Sequence, residues 1–367
     1  DCLLVDPEHP DAPAATGHPV FTSVLLVDTA NRNLVDAVCY AEPTDGVYVS
    51  PGAVYLAQTV YDNPNATDSI VHRFDLEDSV SYRGSARIAG SLLGRSQADF
   101  RMSEHNNVLR LVTTRWNRSE EDAFAHYLYT VQPRNDAPEL DVLARLPADD
   151  DDAPIGKPNE DLFGVRFLGD RAYLVTFERI DPLYVIDLAN PQAPSVAGTL
   201  EVPGFSDLLH PVSDGLLLGL GADTDGVTKL ELFDVSDPAR PRSRGIVRLG
   251  EGAEWAWSEA RYNRQAFTYL ADGAGVDRLA VPLSVGLRDE EDEGARQQEQ
   301  LHMFEIQGVG DAANALLNPA GVLRVNEASG YELRPRSIID GGALYFVLGE
   351  QVFGGFWGVP GEAQGPF

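Results

Sequence analysis

A phrase that occurs twice constrains this chain most. Leu183-Tyr-Val-Ile-Asp187-Leu-Ala-Asn-Pro191-Gln-Ala-Pro194 is followed by Gly198 and a β-rich run to Gly204. Leu230-Glu-Leu-Phe-Asp234-Val-Ser-Asp-Pro238-Ala-Arg-Pro241 is followed by Gly245 and a β-rich run to Gly250. Asp187 and Asp234 lie 47 residues apart, and repetition at that spacing points to a modular fold of one sheet after another. The phrase has a physical logic. An apolar strand ends in Asp, whose carboxylate caps the following turn. The first proline fixes that turn and the second stops helix growth, so the chain returns antiparallel. Asp28 and Asp75 hold the same place in earlier phrases, again 47 residues apart.

Runs rich in β-branched and aromatic residues, bounded by turn residues, fall into sets of four strands. One set lies between Gly46 and Ile88, the next between Gln97 and Leu146, then Leu162 to Val202, Phe205 to Leu249, and Glu254 to Val325. Phe21–Tyr40 and Arg334–Phe353 supply two strands each, which predicts one composite blade closing the chain. Only Asp311–Leu317 reads as a short helix. Four-strand sets spaced by roughly 45–60 residues are the signature of propeller blades. The expected architecture is an all-β propeller of four-stranded antiparallel blades, about six in this chain and seven or eight if N-terminal sequence is missing. It would form a single domain over residues 1–367, with an N-terminal extension at 1–20 and a C-terminal tail at 354–367.

Charge narrows the function classes. With 57 Asp and Glu against 28 Lys and Arg, the formal net charge is −29. Such a field repels nucleic acid and anionic headgroups. No apolar run is long enough for a membrane-spanning helix. Cys2 and Cys39 are the only cysteines. They fit one disulfide in an exported protein, and equally two thiols in a cytosolic one. Residue 1 is not Met, so trimming of an N-terminal segment is expected.

Several long, ordered phrases carry a resemblance. They are Val108-Leu-Arg-Leu-Val-Thr-Thr114, Val165-Arg-Phe-Leu-Gly-Asp-Arg-Ala-Tyr-Leu-Val-Thr-Phe177, Asp181-Pro-Leu-Tyr-Val-Ile-Asp-Leu188, Pro203-Gly-Phe-Ser-Asp-Leu-Leu-His-Pro211, Leu232-Phe-Asp-Val-Ser-Asp-Pro238 and Arg334-Pro-Arg-Ser-Ile-Ile339. Through them, residues from about 97 to 350 resemble a family of secreted bacterial and archaeal proteins with a C-terminal β-propeller domain. Residues 21–90 fit more loosely. The resemblance implies fold and export, to the exterior, the periplasm or the cell envelope; it implies no activity and no site residues.

Candidate sites are few. There is no Gly-x-Ser-x-Gly elbow, and Ser206, Asp207 and His210 are too close along one strand to assemble a triad. Asp223-Thr-Asp225-Gly226 has the alternating carboxylates and glycine turn of many Ca²⁺ loops but lacks the downstream bidentate Glu. Asp149 to Asp152 form an acidic connector, with Glu160 and Asp161 nearby. Asp223, Asp225, Asp149 and Asp151 are therefore the candidate ligands for a stabilising Ca²⁺. Trp255 and Trp257 share one strand face; this offers a binding patch, with packing between blades as the preferred expectation. Phe353, Phe356 and Trp357 in the Gly-rich tail are expected to dock, on this protein or on a partner. Sites are sought in what does not repeat: 149–161, 289–300, Arg115–Phe124 and the tail.

These readings favour a secreted, non-enzymatic binding or scaffold module for a protein, polymer or surface, since unequal loops on a rigid scaffold are where binding sites form. The alternative is a hydrolase or lyase with a metal or carboxylate centre at the central channel, requiring three or more carboxylates or histidines to converge. A third reading is a subunit of an extracellular assembly.

Overall fold

A computed structural model describes residues 2–3, 20–63, 66–94, 100–116, 123–149, 152–178, 181–273, 275–288, 295–326 and 333–367. It is all-β, with three short 3-10 turns and no α-helix among the described residues. The chain divides into two compact units, Asp1–Glu178 with Ile186–Val196, and Arg179–Val185 with Ala197–Phe367.

In the first unit, β1 (Cys2–Leu3), β2 (Thr22–Asp28) and β3 (Asn33–Tyr40) form a sheet in the order β1–β3–β2, with β1 parallel to β3. Two four-stranded antiparallel meanders follow in chain order. One is β4 (Gly46–Val49), β5 (Ala53–Asn63), β6 (Ala66–Leu76) and β7 (Val80–Ala89). The other is β8 (Met102–His105), β9 (Val108–Trp116), β10 (Phe124–Pro133) and β11 (Leu140–Leu146). Their facing sides share one core, in which Tyr55, Val71, Leu111, Tyr129 and Leu140 are buried. β12 (Asp161–Leu168) and β13 (Arg171–Phe177) belong to the same four-stranded sheet, in chain order, as β14 (Asp181–Asp187) and β15 (Ser195–Val202), most of whose residues are counted in the second unit.

In the second unit, β16 (Phe205–Ser213), β17 (Leu216–Ala222), β18 (Thr228–Asp234) and β19 (Arg242–Arg248) repeat the meander. β20 (Trp255–Trp257) and β21 (Thr268–Leu270) both pair with β22 (Val276–Arg288), which continues through β23 (Ala295–Gln307) to β24 (Leu316–Val325). β25 (Arg336–Asp340), β26 (Ala343–Leu348) and β27 (Gln351–Phe356) form a three-stranded sheet. β28 (Gly361–Glu362) then runs parallel to β24, setting Leu323 opposite Gly361 and Arg324 opposite Glu362.

Burial follows strand position. β17 and β18 are buried along their whole length, which suits the near-continuous apolar run of β17, whereas β19 is mostly exposed. Each leucine fully buried there contributes about 1.5–3 kcal/mol.

The repeated phrase behaves as its chemistry predicts. Asp187 Oδ1 accepts from Ala189 N at 2.9 Å, and Asn190 Oδ1 from Gln192 N at 3.1 Å. Asp234 Oδ1 accepts from Ser236 N at 3.0 Å, and Asp237 Oδ1 from Ala239 N at 3.1 Å. Asp28 caps in the same way through Ala30 and Asn31. Gly198, in the strand after the first phrase, lies against the second: a Cβ there would meet Pro238 O at 2.3 Å.

Three expectations need correction. Among the described residues, Phe21–Tyr40 and Arg334–Phe353 are assigned to two sheets, against the expectation of one composite blade. Each hairpin gains a third strand of its own, β1 in one case and β27 in the other, giving two separate sheets. Asp75 does not cap a turn; its carboxylate is taken by Arg73 at 2.6 Å and Arg83 at 3.1 Å. The short helix near 311–317 is a 3-10 turn, Ala312–Asn314.

Candidate functional site

The C-terminal tail builds one concavity among the described residues. Gly354 and Gln364 exchange backbone hydrogen bonds at 2.8 and 2.9 Å, and Phe367 N donates to Val352 O at 2.9 Å. Trp357 Nε1 donates to Glu305 Oε1 at 2.9 Å, and Phe353 is buried in the core of this unit. The tail thus docks on its own chain. Where β28 lies along β24 it leaves a cavity of about 340 Å³, whose lining includes Arg296, Arg324, Asn326, Phe353, Glu362 and Pro366.

A directed row of polar side chains ends at this cavity. Gln298, Gln300 and His302 alternate along β23 and so share one face. Asn326 Nδ2 donates to Glu362 Oε1 at 3.0 Å, and Gln298 Nε2 donates to Asn326 Oδ1 at 2.5 Å. Gln300 Nε2 donates to Gln298 Oε1 at 2.7 Å, which leaves Gln300 Oε1 to accept from His302 Nε2 at 2.8 Å. Every donor points the same way, toward the Glu362 carboxylate, so His302 is the Nε2–H tautomer. Burial, reinforced by the positive charge of Arg324, pushes the His302 pKa down to about 4. The ring is neutral near pH 7.

A second feature is an exposed aromatic platform. Trp255 and Trp257 are each 42% exposed and Tyr262 54%, against the expectation that both tryptophans pack inside. The reason is the break between β20 and β21, where two 3-10 turns replace a continuous strand. Trp257 stacks on Tyr262 with centroids 6.2 Å apart and planes at 14°. Arg261 braces the platform: it is ion-paired to Asp207 at 2.6 Å and lies 5.3 Å from the ring centroids of both Phe205 and Tyr262. Trp255 covers the backbone of Gly286, where a Cβ would meet the indole Nε1 at 2.1 Å.

The residues singled out from sequence have other employment. Asp223 and Asp225 close a hairpin turn, and the two nitrogens of the Arg248 fork reach them at 2.5 Å each. The hydrogen bond from Arg248 holds the Asp225 carboxyl below the usual carboxylate range. A guanidinium stands where a cation would, so this donor set does not fit Ca²⁺. Asp149 N donates to Asp152 Oδ2 at 3.0 Å within a turn; Asp151 lies outside the described residues. Glu160 Oε2 accepts from Thr176 Oγ1 at 2.6 Å and Lys157 N at 2.8 Å. Among the described residues no group of three His, Cys, Asp or Glu could hold a metal. Asp207 serves Arg261, and His210 packs against Phe267 and Tyr269 at 5.1 and 4.3 Å, so the two stay apart in function. Cys2 sits opposite Cys39 in the β1–β3 pair. Of the loops sought, 117–122 and 289–294 lie outside the described residues.

Sequence reasoning passed over Arg296, Arg324, Asn326 and Glu362. One signal was available: Gln298, Gln300 and His302 recur at period two on a strand whose following positions, Leu301, Met303, Phe304 and Ile306, are apolar.

Comparison with known proteins completes the picture. The sequence model described as "Beta propeller domain" matches residues 5–353. An uncharacterized protein of Methanocaldococcus jannaschii is 35% identical over 185 residues, covering 50% of this chain and 26% of the relative. One from Archaeoglobus fulgidus is 33% identical over 198 residues, covering 54% and 27%. The chain thus spans about a quarter of the length of these curated relatives. Among solved structures, the β-propeller domain of the trilobed protease from Pyrococcus furiosus aligns over 85% of this chain and 82% of its own, at 12% identity and a TM-score of 0.37. The WD40 domain of Toxoplasma gondii coronin aligns over 84% and 87%, at 9% identity and a TM-score of 0.28.

Proposed function

The chain belongs to the β-propeller domain family, and from that premise we propose that it is a non-enzymatic recognition module of the exported kind, binding an extracellular polymer. The observation that carries this reading is the platform of Trp255, Trp257 and Tyr262. Exposing three large rings side by side is unfavourable unless a partner covers them. The negative face of an aromatic ring attracts the polarised C–H edges of a flat ligand, which suits the faces of a sugar chain. The platform rests on a sheet and on the Arg261–Asp207 pair rather than on a free loop, so little ordering is lost on binding. The net charge of −29 argues against nucleic acid or anionic lipid as the partner. A hydrolase or lyase would draw on converging carboxylates or histidines, and the described residues offer no such group for a metal.

The experiment is retention of the full chain on immobilised neutral polysaccharides and envelope extracts, with tryptophan fluorescence as the second readout. Trp255 and Trp257 are two of four tryptophans and among the large exposed hydrophobics, so a polymer stacked on them shifts the emission. The W255A/W257A variant should lose retention. Equal retention of wild type and variant, or no retention and no fluorescence change with any polymer, removes the proposal.

A further inference from the structure

We propose that the cavity between β24 and the C-terminal tail binds a small carboxylate that carries a neighbouring hydroxyl or ammonium donor. This goes beyond polymer binding and does not rest on it. Size comes first. About 340 Å³ lies near the lower end of ligand pockets, which begin at roughly 300 Å³, so a monosaccharide acid or a small hydroxy or amino acid fits.

Charge comes next. In a chain with twice as many acids as bases, this cavity gathers two arginines and one carboxylate. Arg324 is half-buried, yet among the described residues no hydrogen bond or ion pair engages its guanidinium. Among the described residues Arg296 makes one long contact, Nη2 to Asn326 O at 3.5 Å. By contrast, Arg248, Arg261 and Arg134 each hold carboxylates at 3.1 Å or less. A free planar fork in a cavity is the group that takes a carboxylate bidentately.

Glu362 supplies the complementary half. Asn326 occupies its Oε1, so Oε2 is left to accept from a donor on the ligand. The row from His302 through Gln300, Gln298 and Asn326 fixes the orientation of that carboxylate. Phe353 and Pro366 give the cavity an apolar wall. An inorganic oxyanion would satisfy the arginines and repel Glu362; a carboxylate with an adjacent donor satisfies both.

The test is calorimetric titration of the full chain at low ionic strength, where screening is weak, with D-glucuronate, L-malate and glycine as ligands and acetate, phosphate and sulfate as controls. At least one of the first three should bind saturably and more tightly than all three controls. R324Q should weaken it about ten- to hundred-fold, as expected for a charge-assisted pair. R324K, which keeps the charge and loses the fork, should weaken it less. E362Q should erase the advantage over acetate. Circular dichroism and melting verify each fold, and R324K with E362Q decide the matter if R324Q is unfolded. W255A/W257A should titrate like wild type, which separates this site from the aromatic platform. No saturable binding by the three ligands, phosphate or sulfate binding as tightly, or R324 variants that bind unchanged would each overturn the proposal.

Discussion

Lys229 and Glu231 form an ion pair in the interior of β18, with side chains 1% and 0% exposed and Nζ 2.9 Å from Oε2. The two ends of the pair are unequally supported. Lys229 Nζ also donates to Pro203 O, whereas Glu231 Oε1 has no hydrogen-bond partner among the described residues. Removing the lysine therefore strands a carboxylate with no donor, while removing the glutamate leaves an ammonium that keeps one acceptor. Breaking a buried pair from one side costs about 3–5 kcal/mol, and the asymmetry places K229M at the upper end and E231L at the lower. Replacing both residues by apolar ones is often neutral or stabilising. The K229M/E231L double variant should thus recover most of the loss. The pair belongs to a unit of roughly 180 residues, for which the unfolding entropy makes 1 kcal/mol worth about 2–4 °C. K229M should melt on the order of 10 °C below wild type and the double variant within a few degrees of it. Differential scanning calorimetry of the four proteins gives the cycle. If the single losses are each below about 1 kcal/mol, or if they add in the double variant, the pair is not electrostatically coupled and the reasoning fails.

Four further outcomes are expected. Burial holds His72, His126 and His302 at pKa values of about 4, below the unfolded value of about 6.5, so the unfolded chain binds more protons between those limits. Stability should be full above pH 6.5 and fall as pH drops toward 4, by on the order of 3 kcal/mol per histidine; a melting temperature flat from pH 7 to 4.5 would contradict this. G198A should destabilise by about 1–3 kcal/mol, because the new methyl group meets Pro238 O; urea denaturation measures it, and an unchanged midpoint refutes the close approach. If Cys2 and Cys39, opposed in β1–β3, are joined, the intact mass is short of two hydrogens and reduction removes about 3–4 kcal/mol by loop-closure entropy; two alkylatable thiols in the unreduced protein would refute the bond. Calcium and EDTA should leave the melting temperature unchanged, since Arg248 already holds both Asp223 and Asp225; a rise with calcium would contradict this.

The architecture was legible because it depends on local chemistry. Asp187, Asn190, Asp234 and Asp237 cap turns through atoms two residues away, and such contacts are encoded in a window of a few positions. The same reading misled where a charged side chain competed for the carboxylate. Asp75 occupies the capping place, but Arg73 and Arg83 compete for its carboxylate. Asp223 and Asp225 have the spacing of a calcium loop, yet β19 brings Arg248 across the hairpin to bind them. In each case an arginine, Arg73 and Arg83 for Asp75 and Arg248 for the Asp223–Asp225 turn, decided the role of a carboxylate.

The cavity was illegible for a stricter reason. Arg296, Arg324 and Glu362 are separated by 28 and 38 residues, and three choices of pairing bring them together. β23 and β24 fix a register with Gln300 opposite Arg324, and β28 then sets Glu362 opposite Arg324 on the far side. A slip of one residue in either pairing would turn the side chain to the other face of the sheet. The tail must also fold back, which Gly365 permits at a φ of +131° within van der Waals reach of Phe353. What the sequence displays is the polar alternation at Gln298, Gln300 and His302. A strand that spends three part-buried positions on amides and imidazole must satisfy them, and here the chain of donors leads to a carboxylate beside two guanidinium groups. An unexplained polar face on an inner strand is thus a stronger pointer to a site than the charged loops, whose carboxylates the surrounding arginines already satisfy.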